Sequence, residues 1–349
     1  MGENDIEINE GLTRREFLSQ TGCFIAGLKL LPFLFRNRQA SAQNNGNSES
    51  PNISSRVGII KCDNRVEAVK RAFDLNSLPD MRGDKVLIKP NFNTADPAPG
   101  STHNDTLETV IDLIKKQGAD KVIIGERSGP PDTEEVMTQK GIFTLAKEKG
   151  IEVINFDQLP EEELLHFNQD NLHWRKGFHI PRILREVDHI IACGCLKTHQ
   201  FGGQFTMALK LAVGIIPSEG TNYMNQLHGS PDIRKKIAEI NLAYEPNIYL
   251  IDGVEAFTHG GPATGTRVQA GVTLVGTDPV AVDAVGVAVL KELGSKNVIM
   301  ETPVFQLEQI ARAAEIGLGV TEPEQIEVIS DDNEGKEYAE KIENILQKN

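Results

Sequence analysis

His199, Lys210 and His228 are the residues whose types and spacing most suggest chemistry. His199 ends the run Cys193-Gly194-Cys195-Leu196-Lys197-Thr198-His199 and is soon followed by Gly202-Gly203, where missing side chains permit close backbone approach. An imidazole is neutral near working pH and can ligate a metal or shuttle a proton. Lys210 lies in the apolar helical stretch Met207-Ala208-Leu209-Lys210-Leu211-Ala212-Val213. A buried lysine gives up its charge readily and becomes a nucleophile or an attachment point; the competing reading is a lysine snorkelling to the surface. His228 lies eighteen residues further on, in a loop where it could complete a site. His199 and Lys210 are therefore the expected catalytic pair. Lys89, Asn91, Arg127 and Lys197 are the expected substrate-binding residues, with Arg127 or Lys89 gripping a carboxylate.

His199, His228, Cys193 and Cys195 are the expected metal ligands. Two cysteines two apart on a strand face the same way, which suits soft-metal ligation or a redox pair, although plain strand packing is the simpler reading. Asp252, Asp278 and Asp283 could hold a hard cation, but Asp278 directly before Pro279 reads equally as a helix N-cap. No Walker loop, dinucleotide-binding glycine fingerprint, Gly-x-Ser-x-Gly or HExxH is present.

The elements that must position these residues alternate. Val57–Ile60, Lys85–Lys89, Lys121–Gly125, Glu152–Asn155, His189–Cys193, Ile248–Asp252 and Val272–Gly276 read as strands. Val66–Leu75, Leu107–Lys116, Glu134–Lys149, Asp232–Ala243, Pro279–Leu293, Val304–Ile316 and Glu337–Gln347 read as helical. β-branched runs separated by helices predict an α/β fold, a mostly parallel sheet with helices on both faces. A division into two α/β lobes with a cleft between them, near residue 245, is compatible with the pattern. Ligands of open parallel sheets bind beyond the carboxyl ends of the strands. Five such ends carry unusual polar residues, at Lys89, Gly125, Cys193, Asp252 and Gly276, and are expected to form one rim.

At the other end of the chain, Thr13-Arg14-Arg15-Glu16-Phe17-Leu18 fits a twin-arginine export signal. The apolar run Gly22–Phe35 is too short to cross a bilayer, which takes about twenty residues, and Ala40-Ser41-Ala42 supplies a peptidase site. Residues 1–42 are thus expected to be removed after Ala42, leaving no stable membrane anchor. Residues 43–56 form a polar linker and 57–349 the folded domain. The expected partner is the twin-arginine translocase, and the expected location is periplasmic or otherwise extracytoplasmic. The net charge of −14 is the same without residues 1–42, which carry five acidic and five basic side chains. It argues against nucleic acid as a partner. Four cysteines, one of them in the signal, are too few for a disulfide framework.

Several segments together resemble the domain of unknown function 362 family: Val86-Leu87-Ile88-Lys89-Pro90-Asn91, Leu196-Lys197-Thr198-His199, the Lys210 helix leading to Gly214, His228, Ile251-Asp252-Gly253, Gly260-Gly261-Pro262 and Gly276-Thr277-Asp278-Pro279-Val280-Ala281-Val282-Asp283. Many members carry a ferredoxin-like cysteine set that is missing here, so an iron–sulfur cluster is not expected. The order His199, Lys210, His228 is also similar to lactate racemase. There a His serves acid–base catalysis, a Lys bonds a nickel pincer nucleotide and a further His ligates the nickel. Met207-Ala208-Leu209-Lys210 departs from that family's Gly-Gly-Ala-Lys, and Gly125-Glu126-Arg127 stands where its second catalytic His would fall. Two-base racemisation is therefore in doubt.

These readings together imply an exported enzyme dependent on a metal ion or a nickel-pincer-like nucleotide and acting on a small hydroxy or carboxylic acid. The alternatives are a non-catalytic periplasmic protein that captures a small anionic ligand, and a thiol or metal redox protein using Cys193 and Cys195.

Overall fold

The computed structural model describes residues 53–76, 79–217 and 223–348. The Arg14-Arg15 signal and the cleavage position after Ala42 lie outside the described residues. The described residues form one compact unit. It is built on a nine-stranded sheet in the order β11-β1-β10-β9-β7-β2-β3-β4, with β8 paired to β7 off that path. These strands are β1 (Ser55–Lys61), β2 (Lys85–Lys89), β3 (Lys121–Glu126), β4 (Glu152–Asn155), β7 (His189–His199), β8 (Gln204–Thr206), β9 (Ile248–Gly260), β10 (Gly265–Gly276) and β11 (Ile326–Ile329). A separate hairpin joins β5 (Leu164–Phe167) to β6 (Phe178–Pro181). Five of the eight strand pairs in the large sheet are parallel, so the expected mostly parallel α/β class is correct.

Both faces of the sheet are covered, as a mostly parallel sheet requires. Val86, Ile88, Ile124, Ile191 and Leu250 pack on one side with α1 (Arg65–Asn76) and α2 (Asn104–Lys116). Leu87, Ile123, Leu196, Ile251 and Leu274 pack on the other side with α8 (Pro279–Glu292). Every residue of α8 from Pro279 to Lys291 is buried, the expected fate of a helix apolar all round. Its N-cap is Asp278, whose carboxylate accepts from the Val280 and Ala281 amides at 2.8 and 3.0 Å. The cap reading therefore holds.

Three expectations about elements need correction. First, β7 does not stop at Cys193 but runs to His199, because its last residues pair with β8 in a hairpin that sets His199 opposite Gln204. Second, β9 and β10 are antiparallel. No helix separates them, so the chain turns straight back. Gly276 lies beside Tyr249, near the start of β9, at the edge opposite the Lys89 end. Four of the five strand ends share the rim; Gly276-Thr277-Asp278 is at the far side. Third, the helical region 134–149 is two helices, α3 (Thr133–Gln139) and α4 (Ile142–Lys149), parted by Gly141 at φ +69°. Three further helices matter for the site: α5 (Ala208–Leu211), α6 (Tyr223–His228) and α7 (Ile233–Ile240). They fall between β7 and β9, which are parallel neighbours on either side of residue 245.

Candidate functional site

β2 and β3 are parallel neighbours with Ile88 opposite Ile124, so Lys89 ends β2 one residue short of the level of Glu126, within reach of its carboxylate. Lys89 Nζ donates to Glu126 Oε1 at 2.5 Å and to the Pro90 carbonyl at 2.8 Å. The other carboxylate oxygen accepts from the Phe92 amide at 2.8 Å. Each side chain is only 1% exposed. Burial pushes the Lys89 ammonium down and the Glu126 carboxyl up from their usual ranges, with their mutual attraction opposing both shifts. Gly214 sits directly over this pair. A β-carbon there would lie 2.5 Å from Glu126 Oε1 and 2.6 Å from Lys89 Nζ, so only glycine lets the chain after Lys210 approach.

Lys89, Asn91, Arg127, Thr206, Lys210 and Gly214 are among the residues lining one cleft of about 40 Å³. That volume suits about three water-sized groups, such as a carboxylate. Three polar atoms in its wall are buried and have no hydrogen-bond partner among the described residues: Arg127 Nε, Asn91 Oδ1 and Thr206 Oγ1. Asp157 approaches Arg127 Nε only to 3.9 Å, too far for a hydrogen bond. Buried polar groups are nearly always satisfied, so a donor, an acceptor and a hydroxyl left over in one wall mark a place where a ligand would complete them.

Lys210 enters this cleft from α5, a single turn whose start is fixed by Asp283. The Asp283 carboxylate, fully buried, accepts from the Ala208 amide at 2.6 Å and the Leu209 amide at 3.2 Å. The Lys210 ammonium has no hydrogen bond or ion pair among the described residues. Burial first, then the positive charges of Lys197 and Arg127, lower its pKa to about 8. Lys197 is wholly buried and tied by the carbonyls of Gly100 at 2.6 Å and Pro262 at 3.1 Å, and burial lowers it likewise to about 8.

His199 and Lys210 meet across Gly203. A β-carbon on that glycine would lie 2.8 Å from Lys210 Cε and 3.1 Å from His199 Nδ1. The Phe201 amide donates to His199 Nδ1 at 3.2 Å, which leaves the ring proton of the neutral imidazole on Nε2. Burial, with Lys210, Lys197 and His228 adding repulsion, pushes this imidazole far below its ordinary pKa. It stays neutral at working pH. His228 ends α6 at the surface. Its pKa is lowered by partial burial and by Lys210 and Arg127, so it too faces the cationic cluster. The structure thus gathers Lys210, Lys89, Asn91 and Arg127 around one cleft, while His199 borders Gly203 outside its lining and His228 lies at the surface.

A metal ion finds less here. Among the described residues no three His, Cys, Asp or Glu side chains are placed to hold one. The set His199, His228, Cys193 and Cys195 does not assemble, and its surroundings are cationic. Cys193 and Cys195 are buried within β7, where burial raises both thiols above their usual range and disfavours the thiolate a ligand or redox pair needs. The three aspartates serve separate structural ends. Asp252 accepts from Arg65 Nε and Thr106 Oγ1, both at 2.7 Å, Asp278 caps α8, and Asp283 holds α5. An anionic group fits the same place. The phosphate or carboxylate of a nickel-pincer-like nucleotide would match Lys210 and Arg127.

A family model described as Domain of unknown function (DUF362) matches residues 86–288, more than half of the chain. The chain belongs to this family. The matched span runs from the strand that ends at Lys89 to the helix that holds Asp283, and so contains every cleft residue named above. Comparison with curated proteins gives no match. Among solved structures, the lactate racemase apoprotein from Thermoanaerobacterium thermosaccharolyticum is similar at 16% identity and a TM-score of 0.41, over 61% of this chain. The alignment spans about half of that protein, 53% of its chain.

Glu126, Gly214 and Thr206 were not foreseen as site residues, and Asp283 was foreseen only as a cation ligand. Glu126 stands beside the foreseen Arg127, but its pairing with Lys89 depends on β2 and β3 being neighbours. The need for glycine at 214 depends on that pair in turn.

Proposed function

We propose that the protein is exported by the twin-arginine translocase and works outside the cytoplasm as an enzyme that binds a small hydroxy or carboxylic acid in the Lys210 cleft. The observation that carries this reading is the Lys210 ammonium, without a partner among the described residues, beside the unsatisfied Arg127 Nε and Asn91 Oδ1 in the wall of one small cleft. A carboxylate supplies the counter-charge that Lys210 lacks among the described residues and the acceptor that Arg127 Nε lacks. A hydroxyl supplies the donor that Asn91 lacks. Lys210, with its pKa near 8, holds or releases a proton close to working pH, and the neutral His199 beside it offers the Nε2 proton. Lys197, beneath, keeps the cleft positive and the Lys210 amine acidic.

Thermal melts test this. Lactate or pyruvate near one hundred times its dissociation constant should raise the melting temperature by several degrees, and Lys210→Met should abolish the rise. Equal shifts in both forms, or none, would remove the basis for the site. Stabilisation without turnover of any acid tried would favour the binding-protein reading.

A further inference from the structure

We infer that Lys210 is a carbonyl-condensing lysine and that the ligand class of the cleft is a 2-oxo acid, held by its carboxylate while its carbonyl carbon is attacked by the Lys210 amine. This rests on the carboxylate-binding reading above and narrows it. Three observations point to it. A lysine meant only to neutralise an anion is normally exposed or ion-paired; Lys210 has no pair among the described residues, whereas Lys89 next to it is locked to Glu126 at 2.5 Å and unavailable. The imidazole of His199 and the Lys210 side chain both border the space that a β-carbon on Gly203 would fill, so a neutral acid–base group lies near the amine. The cleft also holds, in Arg127 Nε, a buried donor without an acceptor that suits the carboxylate next to a carbonyl.

The chemistry balances without an oxidant or reductant. The unprotonated Lys210 nitrogen adds to the carbonyl carbon, and the carbonyl π pair moves to oxygen, which takes a proton. The resulting carbinolamine loses that oxygen as water, with both hydrogens originating on the amine. A carbon–nitrogen double bond remains between ligand and Lys210. The arrangement favours the nucleophilic form: with a pKa of about 8, the amine is unprotonated in about one molecule in ten at neutral pH, several hundred-fold more often than an ordinary lysine.

Reductive trapping tests the inference. The full chain is incubated with pyruvate and sodium cyanoborohydride at neutral pH, and the product is read by intact mass and peptide mapping. The expected result is one reduced adduct mapped to Lys210, diminished about tenfold by lactate at ten times its dissociation constant, since lactate occupies the cleft but has no carbonyl. Acetone, which lacks the carboxylate, should give no such adduct. Mapping on the unsubstituted chain keeps the test independent of whether Lys210→Met folds. Adducts spread evenly over surface lysines, or a Lys210 adduct formed equally well by acetone, would overturn it. Absence of any adduct while lactate and pyruvate still stabilise the protein would overturn the condensation and leave the anion site standing. Absence of both would overturn the two together.

Discussion

Lys210 owes its lowered pKa to burial and to the charges of Lys197 and Arg127, and Lys197 owes its own to burial, with Lys140 adding repulsion. A residue-specific consequence is an acylation rate at Lys210 that rises with pH and reaches half its maximum near pH 8, well before surface lysines respond. Mass-mapped acetylation across a pH series measures this; a Lys210 midpoint in the ordinary lysine range would contradict it. The stability consequence has a definite sign. A lysine whose folded pKa lies below its unfolded value of 10.5 binds fewer protons in the native state, so stability rises as pH climbs from about 8. Above about pH 9 the raised Cys193 and Cys195 thiols oppose the trend, because there the native state holds the extra protons. Urea melts at pH 8 and 9 should therefore show a gain that Lys197→Met reduces and that the Lys197→Met, Lys210→Met double variant reduces further.

The Lys89–Glu126 pair makes a second test at the same scale. Glu126→Gln leaves a buried ammonium without its counter-charge and should cost about 3–5 kcal/mol, whereas replacing both residues by apolar ones of similar size should cost much less. Equal losses in the single and double variants would mean the pair is not coupled.

At the scale of elements, α5 is too short to stand alone, and it is held by the Asp283 carboxylate at the Ala208 and Leu209 amides. Asp283→Ala should lower stability by about 2–3 kcal/mol and also slow Lys210 acetylation, while Asp283→Asn, which keeps an acceptor, should do less of both. Loss of stability with an unchanged Lys210 rate would reduce Asp283 to a packing residue. Much of this scaffold is legible in the sequence. The period of the apolar runs locates seven strands, and the Asp278-Pro279 step announces the α8 cap. What is not legible is direction. Ile248–Asp252 and Val272–Gly276 look alike as apolar runs, but only the short connection between β9 and β10 makes them antiparallel and sends Asp278 to the far edge. The same holds in the cleft: Lys89, Arg127 and Lys210 stand out by type, while Glu126 and Gly214 matter only once strand order brings β2 against β3.

At the scale of the whole molecule, a chain of net charge −14 lines one cleft with Lys89, Arg127 and Lys210, and Lys197 adds its charge nearby. The bulk field repels anions, and the local one attracts them, so anion binding should weaken as salt screens the cleft. The proposed export rests on residues 1–42 alone. Replacing Arg14 and Arg15 together by lysine should retain the full-length chain in the cytoplasm of a host with a working twin-arginine pathway, as read by fractionation and immunoblotting. Continued export of that variant would contradict the signal.

The central claim is that a protonated Lys210 completes an anion site, and calorimetric titration with lactate at pH 7 and pH 9.5 tests it most directly. The account predicts binding at pH 7 that weakens roughly tenfold or more at pH 9.5, as the amine loses its proton near pH 8, and no such dependence in Lys210→Met. Affinity that is the same at both pH values, or that survives unchanged in Lys210→Met, would contradict it.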